Sequence, residues 1–89
     1  LVGNSPDCIK MLDLSGRVLT MNEGGLVALD VDDFETLRGT EWVALWPEAC
    51  RDTARRAVTA ALFGERSRFQ GYGPTLKGTL KFWDNIITP

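Results

Sequence analysis

The chain has 89 residues, with 10 Lys and Arg against 12 Asp and Glu, no histidine and a formal net charge of −2. That length holds one small domain with a single core, burying only about 60–65% of the surface its unfolded chain exposes, which favours a module over a free enzyme. The slightly acidic balance gives no general attraction to nucleic acid or to acidic membranes, and no run approaches the roughly 18 apolar residues of a membrane span. The opening residues, Leu1 to Pro6, lack the basic start of a signal peptide. Without histidine the chain has neither the commonest transition-metal ligand nor the usual general base. Cys8 and Cys50 are too few, and too apolar in setting, for a disulfide framework and read as reduced packing residues.

Two short apolar runs, Cys8 to Asp13 and Arg17 to Met21, flank the tight-turn residues Ser15-Gly16 and predict a β-hairpin. Asn22 follows it and opens a helix-like segment, Glu23 to Leu29. An asparagine there accepts hydrogen bonds from the free N–H groups of the first helical turn, so it would fix how the chain leaves the hairpin. Leu26, Val27 and Leu29 form a short apolar stripe, after which Asp30, Asp32 and Asp33 interrupt the pattern and offer caps for a second helical piece through Leu37. Gly39 ends that piece. Trp42, Val43, Leu45 and Trp46 make a dense apolar turn that stops at Pro47.

The clearest helix runs from Glu48 to Phe63, where Cys50, Ala54, Ala57, Val58, Ala61 and Leu62 recur on one stripe, with Arg51, Asp52, Arg55, Arg56 and Thr59 opposite. Gly64 stands where a left-handed cap is expected. Small Ala54, Ala57 and Ala61 would let the helix lie close to a sheet or leave room for a ligand. A second hairpin follows: Arg66 to Tyr72, a connection containing Gly73-Pro74 and Lys77-Gly78, then Thr79 to Thr88. In its last strand Trp83, Asn85 and Ile87 share one face, and Phe82, Asp84 and Ile86 share the other. Neither is plainly a solvent face. If one covers the helices, the other needs a second cover, such as a flanking helix or a second subunit.

The order strand, strand, broken helices, long helix, strand, strand resembles the PAS superfamily over nearly the whole chain. The words that carry the resemblance are Ser5-Pro6-Asp7, Asp13-Leu14-Ser15-Gly16-Arg17, Asn22, Leu37-Arg38-Gly39 and Trp46-Pro47-Glu48. The final hairpin adds Arg68-Phe69-Gln70-Gly71-Tyr72, Pro74-Thr75, Lys77-Gly78-Thr79 and Phe82-Trp83-Asp84 through Ile87-Thr88-Pro89, similar to PAS domains of bacterial sensor histidine kinases. The resemblance implies an α+β, PAS-like fold: an antiparallel sheet with short helices and one long helix on one face. It implies one sensor domain over residues 1–89, cut from a larger multidomain signalling protein. The family normally carries a fifth strand beyond the Thr-Pro found here at Thr88-Pro89, so the resemblance implies a sheet completed outside these residues or by another chain.

It further implies a non-catalytic, cytoplasmic regulatory module, within a chain that is itself soluble or membrane-anchored. The module would form a homodimer and pass a conformational signal to an attached output domain such as a histidine kinase or a cyclase, without contacting nucleic acid or membrane. Haem-binding relatives use an axial histidine, which this chain lacks. Flavin-binding relatives place a reactive cysteine where Gly39-Thr40-Glu41-Trp42 has Trp42. Both absences argue against those cofactors and leave a dissociable small molecule or no ligand. A pocket would lie between sheet and helices. Trp83, Asn85 and Ile87 match the inward positions of the family's fourth strand, with Phe69, Trp46, Val58 and Leu62 as further candidate walls. Asn85 is the sharpest candidate, because a buried amide needs a partner that a ligand or the backbone supplies. The other reading is a ligand-free dimerisation or docking module whose surface includes Phe82 and Ile86. A polar internal cavity would favour the first reading, and a filled core with an apolar outer patch the second. Scattered carboxylates, and a Gly71-x-Gly73 with no helix behind it, give no enzyme site.

Overall fold

A computed structural model describes residues 8–89, which run through four strands and two α-helices; the Ser5-Pro6-Asp7 word lies outside them. β1 (Lys10–Leu12) and β2 (Val18–Met21) pair antiparallel, Lys10 opposite Met21, until the register slips between Met11 and Leu12. The connecting turn follows from its residues. Asp13 Oδ1 accepts from the amides of Ser15 and Arg17 at 2.8 and 3.0 Å, and Gly16 takes a φ of +78°. Asp13 therefore belongs to the turn and Cys8 precedes the first strand, so this hairpin is shorter than the apolar runs suggest. The far edge of β2 is bound by the segment after Gly39: Val18 N–H donates to Thr40 and Gly39 N–H to Val18, each at 2.9 Å.

Asn22 joins the first hairpin to α1 (Glu23–Ala28). Its Oδ1 accepts from Gly25 N–H at 2.9 Å, as a helix cap, and from Ile9 N–H at 2.8 Å across the hairpin, while its own N–H donates to Ile9 at 2.9 Å. The residue is buried. After α1, Asp30 adopts a φ of +60°, and Asp33 caps a short 3-10 turn over Phe34–Thr36 through Glu35 N–H. A second 3-10 turn, Trp42–Leu45, leads through Pro47 into α2 (Glu48–Leu62).

Ala54 and Ala57 of α2 are buried, as their stripe predicts. Gly64, at φ +84°, closes the helix: its N–H donates to Ala61 at 3.0 Å and Glu65 N–H to Ala60 at 2.9 Å. Two expectations are corrected. Leu62 is 52% exposed, because periodicity gives the phase of a buried stripe but not where the covering element ends. Arg51 is half-buried and donates from Nε to the Trp46 carbonyl at 2.9 Å, satisfying an acceptor in the turn before the helix.

β3 (Ser67–Pro74) and β4 (Leu80–Ile87) form an eight-residue antiparallel ladder from Ser67 opposite Ile87 to Pro74 opposite Leu80. Gly73-Pro74 continues the strand rather than forming the connection. A proline is tolerated at a strand end, where a missing N–H breaks little of the ladder. The connection is 75–79, closed by Thr75 N–H to Thr79 at 2.8 Å, with Gly78 at φ +88°. This turn is tied to the end of α1. Leu76 N–H donates to Leu29 at 3.0 Å, Lys81 Nζ donates to Ala28 O at 2.7 Å, and Lys77 pairs with Asp32 at 3.0 Å.

The main core joins Val18, Trp42, Val43, Trp46, Ala54, Ala57 and Phe69; a second cluster holds Leu29, Val31 and Leu37, and Trp83, Phe34 and Leu45 pack against both. The fold is α+β, as expected. Its antiparallel sheet is divided, however, into two hairpins that share no ladder hydrogen bond among the described residues.

Asn22→Ala removes one oxygen that satisfies two backbone donors. We expect a loss of about 2 kcal/mol, or roughly 8–16 °C in Tm, read by thermal denaturation. Gly25→Ala gives an opposite sign to propensity alone. Helix propensity favours alanine by about 1 kcal/mol, but the new Cβ would stand 2.5 Å from Met21 Cγ and 3.1 Å from Asn22 Oδ1, so Tm should fall.

Candidate functional site

Strand alternation divides the second hairpin into two working faces. On the inner face Trp83 is half-buried and donates from Nε1 to Gly73 O at 3.0 Å. Asn85 donates from Nδ2 to Phe69 O at 3.5 Å, the long limit of a hydrogen bond. The glycines of β3 admit a neighbour. A Cβ on Gly73 would stand 3.4 Å from the Trp46 ring, and one on Gly71 would stand 3.5 Å from Cys50 Sγ. Gly71-x-Gly73 thus serves close packing of an indole on a strand. Trp46 in turn meets Phe69 with ring centroids 5.1 Å apart, and Trp42 meets Phe69 at 5.9 Å and Trp46 at 6.0 Å. Each such pair adds about 0.5–1.5 kcal/mol beyond area burial.

Between the two hairpins lies a crevice enclosing about 30 Å³, with Cys8 and Lys10 on one side and Trp83 and Asn85 on the other. Leu29, Trp42, Leu45 and Trp46 form its floor with Gly73 and Pro74. Such a volume holds one or two waters, whereas small-molecule pockets commonly measure roughly 300–1,000 Å³. The crevice brings together three of the sequence-derived candidates, Trp46, Trp83 and Asn85. The other four do not line it. Phe69 sits in the core between the two indoles, Val58 and Ile87 pack on the core from its edge, and Leu62 is exposed. Sequence reasoning missed Lys10 and Trp42. Lys10 Nζ lies 5.9 Å from the Trp42 ring centroid and donates to Cys8 Sγ at 3.5 Å. Alternation along β1 could have grouped Cys8, Lys10 and Leu12, but nothing local places β1 beside β4.

The outer face is apolar at its centre. Tyr72 is 62% exposed, Leu80 66%, Phe82 55% and Ile86 54%, and the Tyr72 and Phe82 rings meet edge to face at 5.1 Å. At one end Arg68 grips Asp84 with two parallel bonds, Nε to Oδ1 at 2.7 Å and Nη2 to Oδ2. The guanidinium holds the Asp84 carboxyl below the usual carboxylate range, and the carboxylate raises Arg68 in return.

A family model described as PAS fold matches residues 2–89. The chain belongs to the PAS family. Among solved structures, the PAS domain of an HTR-like protein from Haloarcula marismortui is similar, with a TM-score of 0.75 and 20% identity over 93% of this chain and 68% of that one. Likeness at that identity speaks for the fold alone. No curated protein matches the chain.

PAS domains are generally sensory and signalling modules without catalysis of their own, commonly carried in larger chains and often dimeric. In this PAS domain the described residues hold no group of three or more Cys, Asp or Glu placed to bind a metal ion. No helix among them is long and apolar enough to cross a membrane.

The Arg68–Asp84 pair makes a pH prediction whose sign follows from the lowered carboxyl. Its contribution is present above the ordinary carboxylate range and is lost as pH falls through the folded-state value of Asp84. In Arg68→Met the Asp84 titration, followed by NMR, should move up toward the ordinary range, with the Gln70 hydrogen bond still lowering it.

Proposed function

We propose that this PAS domain is a regulatory module in signal transduction that works by self-association through the outer face of the β3–β4 hairpin. The observation that carries this reading is the contrast between the two faces of one strand pair. Inside, three aromatic rings and the β3 glycines fill the space and leave a crevice of about 30 Å³. Outside, Tyr72, Leu80, Phe82 and Ile86 lie open to solvent. An apolar strip of this kind marks an interaction surface. The proposed occupant is a second copy of the chain. The strip's two charges, Arg68 and Asp84, already neutralise each other, so a two-fold contact sets like faces together without like-charge repulsion. A rearrangement at this face would reach an attached output domain, a histidine kinase or cyclase on the likeness of the final hairpin. Cys8 and Cys50 are both free, which suits a reducing cytoplasm.

A second reading, small-molecule sensing in the crevice, is favoured by two particular groups. Asn85 has only its long bond to Phe69, and Lys10 has no carboxylate partner among the described residues. A ligand preferring one arrangement of β4 would shift the population toward it.

Analytical ultracentrifugation tests the first reading. The wild-type protein should sediment as a dimer, and Phe82→Glu should weaken it by roughly thirtyfold or more, the ~2 kcal/mol of an interface hot spot, with Tm little changed. A monomeric wild type, or an unaltered Phe82→Glu dimer, would overturn it.

A further inference from the structure

We infer that Arg68, Gln70 and Asp84 fix how a second copy of the chain docks on the outer face of the β3–β4 hairpin, with its strands running parallel to those of the first. The inference rests on the self-association reading above and names the orientation of that partner. The ladder register sorts the outward side chains into cross-strand rows: Arg68 opposite Ile86, Gln70 opposite Asp84, Tyr72 opposite Phe82 and Pro74 opposite Leu80. The face is therefore graded along its length. Toward the turn it is rings and aliphatic carbon, with Tyr72, Leu80 and Phe82 all more than half exposed. Toward the other end three polar side chains are tied together. Asp84 accepts two bonds from Arg68, which reaches diagonally across the ladder, and a further one from Gln70 directly opposite.

Two like faces can meet about a two-fold axis that runs either along the strands or across them. An axis across the strands, set over the rings or between the rings and the polar row, makes the pair antiparallel. Gln70 and Asp84 would then lie on the partner's Leu80 and Pro74, or on its rings, and lose water with nothing polar in return. An axis along the strands brings like rows together. Between β3 and β4 such an axis sets Tyr72 over the partner's Phe82 and Phe82 over the partner's Tyr72, closing the rings into one apolar centre. Arg68 then stands over the partner's Ile86, with the partner's Asp84 next along the same strand. The two clasped pairs interleave, each guanidinium beside a carboxylate of the other copy, and Gln70 faces the partner's Asp84. The rings supply the attraction in either orientation, and the polar end decides between them.

Isotope-filtered NOE spectroscopy on an equal mixture of labelled and unlabelled protein reads contacts between copies alone. Ile86 and Leu80 stand near opposite ends of β4 and do not meet within one chain. The Ile86 methyls should show cross-peaks to Arg68 or Ile86 of the other copy, and the Leu80 methyls to Pro74 or Leu80 of the other copy. Cross-peaks between Ile86 of one copy and Leu80 of the other would overturn the orientation while leaving self-association in place. A monomer with no cross-peak between copies would overturn both. The double variant Arg68→Met, Asp84→Leu removes the charges and keeps the ladder, so Ile86–Leu80 cross-peaks should appear beside the first set. An unchanged single set in that variant would overturn the role given to the polar end.

Discussion

One amide oxygen does the joining on which the rest of the structure depends. Asn22 Oδ1 accepts from Ile9 on β1 and from Gly25 on α1, so a single buried atom fixes the hairpin and the first helix to each other. The approach is close enough that Gly25 has no room for a side chain beside Met21. Two backbone donors are satisfied at once and the oxygen is itself doubly paired, which is why the side chain tolerates almost complete burial. The direction in which α1 leaves the hairpin decides where Leu29 arrives, and Leu29 belongs both to the second core cluster and to the crevice wall.

The tip of the second hairpin completes this frame from the other end of the chain. Leu76, Lys77 and Lys81 each reach back to the segment 28–32, and two of these three links end on backbone carbonyls near the C-terminus of α1. Cations and N–H donors are favoured there, where the last helical carbonyls lack partners within the helix. A change at the β3–β4 turn is thereby mechanically tied to the wall of the crevice, although β1 and β4 share no ladder.

The division between a filled interior and an open exterior has a simple origin in β3. Alternation sends Phe69, Gly71 and Gly73 inward and Arg68, Gln70 and Tyr72 outward. Where the inward residue is glycine, Trp46 lies against the strand itself. The indole thus occupies volume that a larger pocket would need. The same alternation leaves the aromatic side chains Tyr72 and Phe82 paired on the surface, outside any core of their own chain.

Much of this was legible in the residues. Asn22 as a cap, Asp33 before a short helical turn, the Ala54 and Ala57 stripe with its Gly64 stop, and the opposite faces of Trp83 and Phe82 are local matters. They follow from hydrogen-bonding chemistry and the periods of helix and strand. So did the family resemblance, carried by short words in the right order. What depended on distant packing was not legible. Leu62 shares the phase of the buried stripe yet lies beyond its cover, and Gly73-Pro74 looks like a turn until the register with Lys81 and Leu80 places it in a strand. Lys10 is not legible in the residues, because it lines the crevice together with Trp42, Trp83 and Asn85, which stand more than 30 positions away in the chain. The sequence by itself determined the elements, their caps and which side chains share a face, since these depend on neighbours within a few residues. Only the tertiary structure decided which faces meet, how little space is left between them and which apolar surface stays open, because those are set by contacts between segments far apart in the chain.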